Sequence, residues 1–136
     1  MADASEKKNS YSILIVDDDV FLLDMYALKF REHGFTVETA LGSMAALEKM
    51  KNGYAPDVMV LDIVMPEMDG FELLEKLKDE RLGEKTMKII LSNRGQASDI
   101  DRGKNLGASG YIVKAKATPS EVVAKVNEIM SKVLNA

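Results

Sequence analysis

The chain of 136 residues has the size of one globular domain, with 46% apolar and 29% charged residues. Its formal net charge of −4, from 18 basic and 22 acidic side chains, argues against nonspecific binding to nucleic acid or to an anionic membrane. The sequence has no cysteine and a single histidine, which excludes disulfides and catalytic cysteines and leaves little room for a histidine-based metal site.

The first ten residues are polar and charged, and they predict a disordered tail in front of a domain that spans residues 11–136. They lack the apolar stretch of a secretory signal. No apolar run in the sequence approaches the roughly 20 residues that span a membrane. We therefore expect a cytoplasmic protein.

Five short segments with strand-like patterns alternate with five longer segments with helical patterns. Four of the strand segments are continuous apolar runs, which is typical of parallel strands buried on both faces, and one alternates as an edge strand does. In chain order the predicted strands are 13–16, 35–39, 58–61, 89–91 and 111–113, and the predicted helices are about 19–33, 43–52, 69–79, 97–106 and 119–134.

The fourth helix has the weakest pattern of the five. It contains Gly103, which costs about 1 kcal/mol relative to alanine inside a helix. A helix with so few apolar contacts is expected to be short and loosely held. Its apolar anchors are Ala97, Ile100 and Leu106.

The alternation of strands and helices predicts an α/β fold with a doubly wound sheet. Parallel strands joined by right-handed crossovers need helices on both faces, and a closed barrel of the common kind would need eight units. We therefore expect a flavodoxin-like, five-stranded parallel sheet in the order 2-1-3-4-5 with five helices around it.

Polar side chains follow four of the predicted strands. The first strand runs into Asp17 and Asp18, and the third ends in Asp62. The fourth ends in Ser92 and the fifth in Lys114. Because doubly wound sheets bind ligands at the carboxyl ends of their strands, we expect these side chains to form one site.

The three aspartates predict a site for a divalent cation. Carboxylates that lie close together raise one another's pKa unless a cation shares the site. Carboxylate oxygens and water are the ligands of Mg²⁺ or Mn²⁺. A metal ion beside an exposed carboxylate also prepares it as a nucleophile for phosphoryl transfer. In such a site Lys114 is the expected cation for the phosphoryl oxygens, and Ser92 is the expected hydroxyl donor.

The stretches that carry these residues resemble the receiver domain of bacterial two-component response regulators, in the form of a stand-alone, chemotaxis-type regulator. The resemblance covers residues 12 to about 134, and its most specific motif runs from Asp62 to Gly70. The matching stretches are ILIVDDD (13–19), VLDIVMPEMDGFELL (60–74), IILSN (89–93) and GASGYIVKA (107–115).

The resemblance implies that Asp62 is the phosphoacceptor. It would take a phosphoryl group from a phosphohistidine on a sensor histidine kinase or a histidine phosphotransfer protein, in a reaction that depends on magnesium. Asp17 and Asp18 match the acidic pair that binds the metal, with Asp18 as a direct ligand. Asp62 and the backbone carbonyl of Val64 complete the implied ligand set.

The resemblance also implies a switch in shape. Ser92 and Lys114 match the switch hydroxyl and the phosphate-binding lysine, and Tyr111 matches an aromatic residue that turns inward when the hydroxyl engages the phosphoryl group. A new dianionic group can draw the loop after the fourth strand toward it through charge-assisted hydrogen bonds. We expect the surface of the fourth helix, fifth strand and fifth helix to change and to bind a downstream protein target.

Two positions depart from the pattern of the family. Ala115 follows Lys114 where the family has a proline joined through a cis peptide, and a cis bond before a non-proline residue costs about 2.5–4 kcal/mol, so we expect a trans bond. Asn93 stands where a small residue is usual, which would narrow the access to Asp62. Val64 and Arg94, each two residues after a site residue, are expected to flank the path of an attacking water.

Three other functions stay open. A phosphorylation-independent, receiver-like interaction module is supported by Ala115 and Asn93. A hydrolase with an aspartyl-phosphate intermediate would place a second aspartate where Val64 stands. A flavodoxin-like cofactor binder would need a phosphate-cradling loop after the first strand.

We expect a switch that catalyses only its own phosphorylation and dephosphorylation. It would act as a monomer or as a phosphorylation-dependent dimer, and it would be either a stand-alone protein or part of a longer one.

Overall fold

The computed structural model describes residues 11–134, and the tail predicted at residues 1–10 lies outside this range. Strands and helices alternate along the described chain. The strands are β1 (Ser12–Asp17), β2 (Thr36–Leu41), β3 (Val58–Leu61), β4 (Met87–Ser92) and β5 (Ala108–Val113). The helices are α1 (Val20–Glu32), α2 (Ser43–Lys51), α3 (Gly70–Asp79), α4 (Ala97–Asn105) and α5 (Pro119–Leu134), with a 3₁₀ turn at Lys114–Lys116.

The strands form one parallel sheet in the order β2-β1-β3-β4-β5, which confirms the predicted flavodoxin-like topology. β5 begins at Ala108 rather than at residue 111, because its main-chain pairing with β4 starts three residues before the apolar run. This added pairing contains an irregularity opposite Lys88 and Ile89. Within the described part of the chain, no helix is long and apolar enough to cross a bilayer.

Helices cover both faces of the sheet and enclose two apolar layers. Successive residues of a strand point to opposite faces, so a continuous apolar run supplies both layers. In β1, Ile13 and Ile15 pack into the layer beneath α1 and α5, whereas Leu14 and Val16 pack into the layer beneath α2 and α3. The sheet is therefore buried on both sides, and its polar residues are left at the strand ends.

α4 is short, as predicted, but its buried face is not the predicted one. Ala97 is exposed and Ile100 is 41% exposed, whereas Asp99 and Gly103 are buried. A Cβ atom at Gly103 would lie 2.5 Å from Cδ1 of Ile90, so glycine permits the close approach of α4 to β4. The expectation that Ala97 and Ile100 anchor this helix is therefore wrong, because a backbone contact and a buried carboxylate take their place.

Candidate functional site

Three aspartates from two strand ends meet at the carboxyl edge of the sheet. Asp17 is the last residue of β1, Asp18 follows it, and Asp62 follows β3. A carboxylate oxygen of each lies within 4.8 Å of those of the other two. The Asp62 amide donates to the Val16 carbonyl at 3.0 Å, which extends the β1–β3 pairing. The backbone of two adjacent strands thus sets the separation of these carboxylates.

The acidic cluster is partly removed from solvent. Asp17 and Asp62 are 3% and 7% exposed, whereas Asp18 is exposed. Burial raises the pKa of Asp17 above its ordinary value; Lys114 opposes this shift and the charge of Asp62 adds to it. Several carboxylates close together at a partly buried edge of the sheet favour the binding of a cation.

Lys114 bridges two of the aspartates. Its Nζ donates to Oδ2 of Asp17 at 2.7 Å and to Oδ2 of Asp62 at 2.8 Å, and its side chain is only 10% exposed. Burial alone would lower the pKa of Lys114, but the two carboxylates that it contacts raise the pKa above its ordinary value. The lysine therefore stays charged, while Asp17 holds a proton more readily than an exposed aspartate because it is buried and lies near the charge of Asp62.

The carboxylate of Asp62 is oriented by the loop that follows it. Its Oδ1 accepts from the amides of Ile63 at 2.6 Å and Val64 at 3.3 Å. The loop folds tightly over this turn, since the Gly70 amide donates to the Ile63 carbonyl at 2.8 Å. A Cβ atom at Gly70 would lie 2.2 Å from the Asp62 carbonyl oxygen, so this position needs glycine. The role of the Val64 carbonyl as a metal ligand stays a prediction.

Asp19 serves the helix rather than the acidic cluster. Its Oδ1 accepts from the amides of Phe21 at 2.9 Å and Leu22 at 3.2 Å, which makes it the N-cap of α1. Its own amide donates to Oδ1 of Asp17 at 3.0 Å. The start of α1 therefore helps to orient Asp17 in the site.

Ser92 and Tyr111 meet through the main chain of Arg94. Ser92 is fully buried at the end of β4, and its Oγ accepts from the Arg94 amide at 3.2 Å. The hydroxyl of Tyr111, on β5, donates to the Arg94 carbonyl. Burial raises the pKa of Tyr111, and the nearby charge of Asp99 adds to the shift, so the hydroxyl stays protonated as a donor.

The side chain of Arg94 forms a network that the sequence analysis missed. Its Nη2 lies 2.8 Å from Oδ1 of Asp99, which is 7% exposed. Its guanidinium carbon lies 5.8 Å from the ring centroid of Phe71, and that of Arg102 lies 4.5 Å from the same ring. An acidic residue on the inner face of a helix with few apolar residues is the signal that could have indicated this ion pair, in which Asp99 is buried and the Arg94 side chain is half exposed.

The structure tests the expectation for Ala115, one of the two positions that depart from the pattern of the resembled family, but not the expectation for Asn93. Among residues 11–134 no peptide bond is cis, so the bond between Lys114 and Ala115 is trans, as expected. Oδ1 of Asn93 accepts from the Ala115 amide at 2.8 Å. The expected narrowing of the access to Asp62 by Asn93 stays a prediction.

Known proteins are similar to this chain in sequence and fold over most of its length. A family model described as response regulator receiver domain matches residues 13–127. The chain is 33% identical over 121 residues to the probable transcriptional regulator ycf29 of Porphyra purpurea, with 89% of this chain and 57% of that protein covered. It is 32% identical over 120 residues to the response regulator SaeR of Staphylococcus aureus strain USA300, with 88% and 50% covered.

The chain thus spans about half the length of these curated relatives. Among solved structures it is similar to a CheY-like response regulator receiver domain protein from Methanospirillum hungatei JF-1. The two superimpose with a TM-score of 0.80 at 30% sequence identity, which covers 93% of this chain and 99% of the other. The likeness therefore extends over the whole described fold.

Proposed function

The chain belongs to the response regulator receiver domain family, and on this premise we propose that it is a phosphorelay switch whose phosphoacceptor is Asp62. One observation carries the proposal. Asp17, Asp18 and Asp62 place carboxylate oxygens within 4.8 Å of one another, and Lys114 contacts two of the three residues. A carboxylate beside both a cation-binding cluster and a fixed lysine is suited to attack phosphorus.

The phosphoryl donor in this proposal is a phosphohistidine of a sensor histidine kinase or a histidine phosphotransfer protein. A carboxylate oxygen of Asp62 attacks phosphorus, the phosphorus–nitrogen bond breaks, and the imidazole nitrogen keeps the electron pair and takes up a proton. Lys114 neutralises charge on the phosphoryl oxygens, because its Nζ already lies 2.8 Å from Asp62. The chain in this role modifies only itself and turns over no external metabolite.

The aspartate cluster fits Mg²⁺ or Mn²⁺ by the chemistry of its donors. Carboxylate oxygens are the ligands that these hard cations prefer. Asp17, Asp18 and Asp62 would hold the ion together with the backbone carbonyl of Val64. When bound, the ion supplies positive charge that offsets the repulsion between Asp62 and an incoming phosphoryl group.

Exposed apolar side chains beside the acidic cluster support a protein as the donor. Phe21 is 85% exposed and Val20 is 52% exposed at the start of α1, directly after the first aspartates. Val64, two residues after Asp62, is 57% exposed. Val20 and Phe21 are adjacent in the chain, and adjacent exposed apolar side chains are typical of protein contact sites. A protein that carries the phosphohistidine would cover these exposed apolar side chains when its phosphohistidine reaches Asp62.

A phosphoryl group on Asp62 would change the loop that follows β4. The hydroxyl of Ser92 would turn from the Arg94 amide toward the new acceptor oxygens, and Tyr111 would lose the fixed position of its partner, the Arg94 carbonyl. α4 would move with this loop at a low cost in free energy, since Asp99 and Gly103 are its only buried residues in the described structure. We propose that the altered surface of α4, β5 and α5 binds the downstream protein.

Intact-mass measurement after incubation with Mg²⁺ and phosphoramidate tests this function. The wild-type protein should gain one phosphoryl group, and Asp62→Ala should gain none. Asp79→Ala, which removes an exposed aspartate at the end of α3, is the matched control and should be labelled like the wild type. A wild-type protein that gains no phosphoryl mass would favour the alternative, a phosphorylation-independent interaction module.

A further inference from the structure

The two residues that depart from the family pattern are bonded to each other. Oδ1 of Asn93 accepts from the Ala115 amide at 2.8 Å, within the range of a good N–H···O hydrogen bond. Asn93 directly follows Ser92, and Ala115 directly follows Lys114. The bond therefore joins the two loops that carry the proposed switch hydroxyl and the proposed phosphate-binding lysine.

This hydrogen bond continues the sheet beyond its last main-chain pair. The register of β4 and β5 ends with Ser92 opposite Val113. After this pair the chain enters the 3₁₀ turn at Lys114–Lys116. The first amides of a helical turn have no carbonyl partner within the turn itself. The side-chain oxygen of Asn93 supplies a partner for one of them, where a backbone carbonyl of the neighbouring strand no longer reaches.

The chemistry of the two departures is complementary. A proline at position 115 would have no amide hydrogen to donate, and a small residue at position 93 would have no oxygen to accept one. A proline would also fix its own φ angle directly after Lys114, a restraint that Ala115 lacks. The bond from Asn93 restrains the same short segment from across the sheet.

We propose that Asn93 is a positioning residue that holds the backbone beside Lys114 and thereby sets the rate at which Asp62 is phosphorylated. This inference rests on the proposed function of Asp62. The Nζ of Lys114 lies 2.7 Å from Asp17 and 2.8 Å from Asp62, so a shift of the backbone at Lys114 would change the placement of this ammonium group relative to both carboxylates. The rate of phosphorylation falls when a group that must contact a phosphoryl oxygen is displaced by a fraction of an ångström.

A double-mutant cycle on positions 93 and 115 tests the proposal. The rate of phosphorylation by phosphoramidate is measured at saturating Mg²⁺ for the wild type, Asn93→Ala, Ala115→Pro and the double variant. We expect Asn93→Ala to be about threefold to tenfold slower, the effect of losing one net hydrogen bond. Both single changes remove the same bond, so the double variant should be no slower than Asn93→Ala. Additive losses, or a wild-type rate in Asn93→Ala, would overturn the proposal.

Two controls separate positioning from general loosening of the fold. The affinity for Mg²⁺, measured by calorimetric titration, should be unchanged in Asn93→Ala, because the aspartates and not Lys114 hold the ion. A parallel loss of affinity and rate would overturn the positioning role. Asn127→Ala, at an exposed asparagine of α5, is the matched variant and should keep the wild-type rate. Asn93→Ala and Asn127→Ala decide the outcome even where Ala115→Pro does not fold.

The failure of this inference differs from the failure of the proposed function. A wild-type protein that takes no phosphoryl group overturns both. A wild-type protein that is phosphorylated on Asp62, at the same rate as Asn93→Ala, overturns the inference alone.

Discussion

Replacing Lys114 by methionine should destabilise the protein by about 3 kcal/mol at neutral pH in the absence of divalent metal. The lysine is 10% exposed and contacts Asp17 at 2.7 Å and Asp62 at 2.8 Å, so its removal leaves two buried carboxylates without their cation. Removing one partner of a buried ion pair costs about 3–5 kcal/mol. We expect the lower end of this range, because Asp17 can relieve part of the repulsion by binding a proton.

The pH dependence of this loss has a definite sign. Burial raises the pKa of Asp17 in the folded protein even with Lys114 present, and without the lysine the pKa rises further. A group whose folded pKa is raised destabilises the protein at pH values above that pKa, and this effect vanishes as the pH falls below the ordinary value of an aspartate. The destabilisation by Lys114→Met should therefore be larger at pH 7 than at pH 5.

Urea unfolding at these two pH values, with and without Mg²⁺, measures the effect. Mg²⁺ should recover part of the lost free energy of unfolding, because it binds the folded cluster and not the unfolded chain. Lys116→Met, at an exposed lysine two residues further on, should change the free energy by less than about 0.5 kcal/mol. An unchanged stability of Lys114→Met, or a loss that grows as the pH falls, would refute this reasoning.

Three further predictions concern the same edge of the sheet. Gly70→Ala should lower stability by about 1–3 kcal/mol in thermal unfolding and should slow phosphorylation, because the new Cβ atom would lie 2.2 Å from the Asp62 carbonyl oxygen. Asp99→Asn should weaken the bond to Arg94 and speed amide hydrogen exchange in α4 without affecting α3, at a cost of about 1 kcal/mol. Chelation of divalent metal with EDTA should abolish phosphorylation of Asp62 while leaving the circular dichroism spectrum unchanged; phosphorylation that persists in EDTA would contradict a metal-binding role of the cluster.

The sequence was sufficient to predict the topology because burial on both faces leaves a pattern within each strand. The run from Ile13 to Val16 is apolar without interruption, and in the structure its residues alternate between the two layers of the core. The strand ends were equally predictable, since parallel strands carry their following residues to one edge. The sequence alone therefore places Asp17, Asp62 and Lys114 together at this edge.

What the sequence did not determine depends on how segments distant in the chain approach one another. The ion pair of Arg94 with Asp99 and the bond of Asn93 with Ala115 involve polar side chains that have no periodic pattern. The contact of Gly103 with Ile90 depends on the distance between α4 and β4, which only packing sets. Local periodicity reports which face of a segment is buried. The partner of each polar group on that face is decided by the tertiary structure, because an unpaired polar group is costly only once packing has excluded water from it.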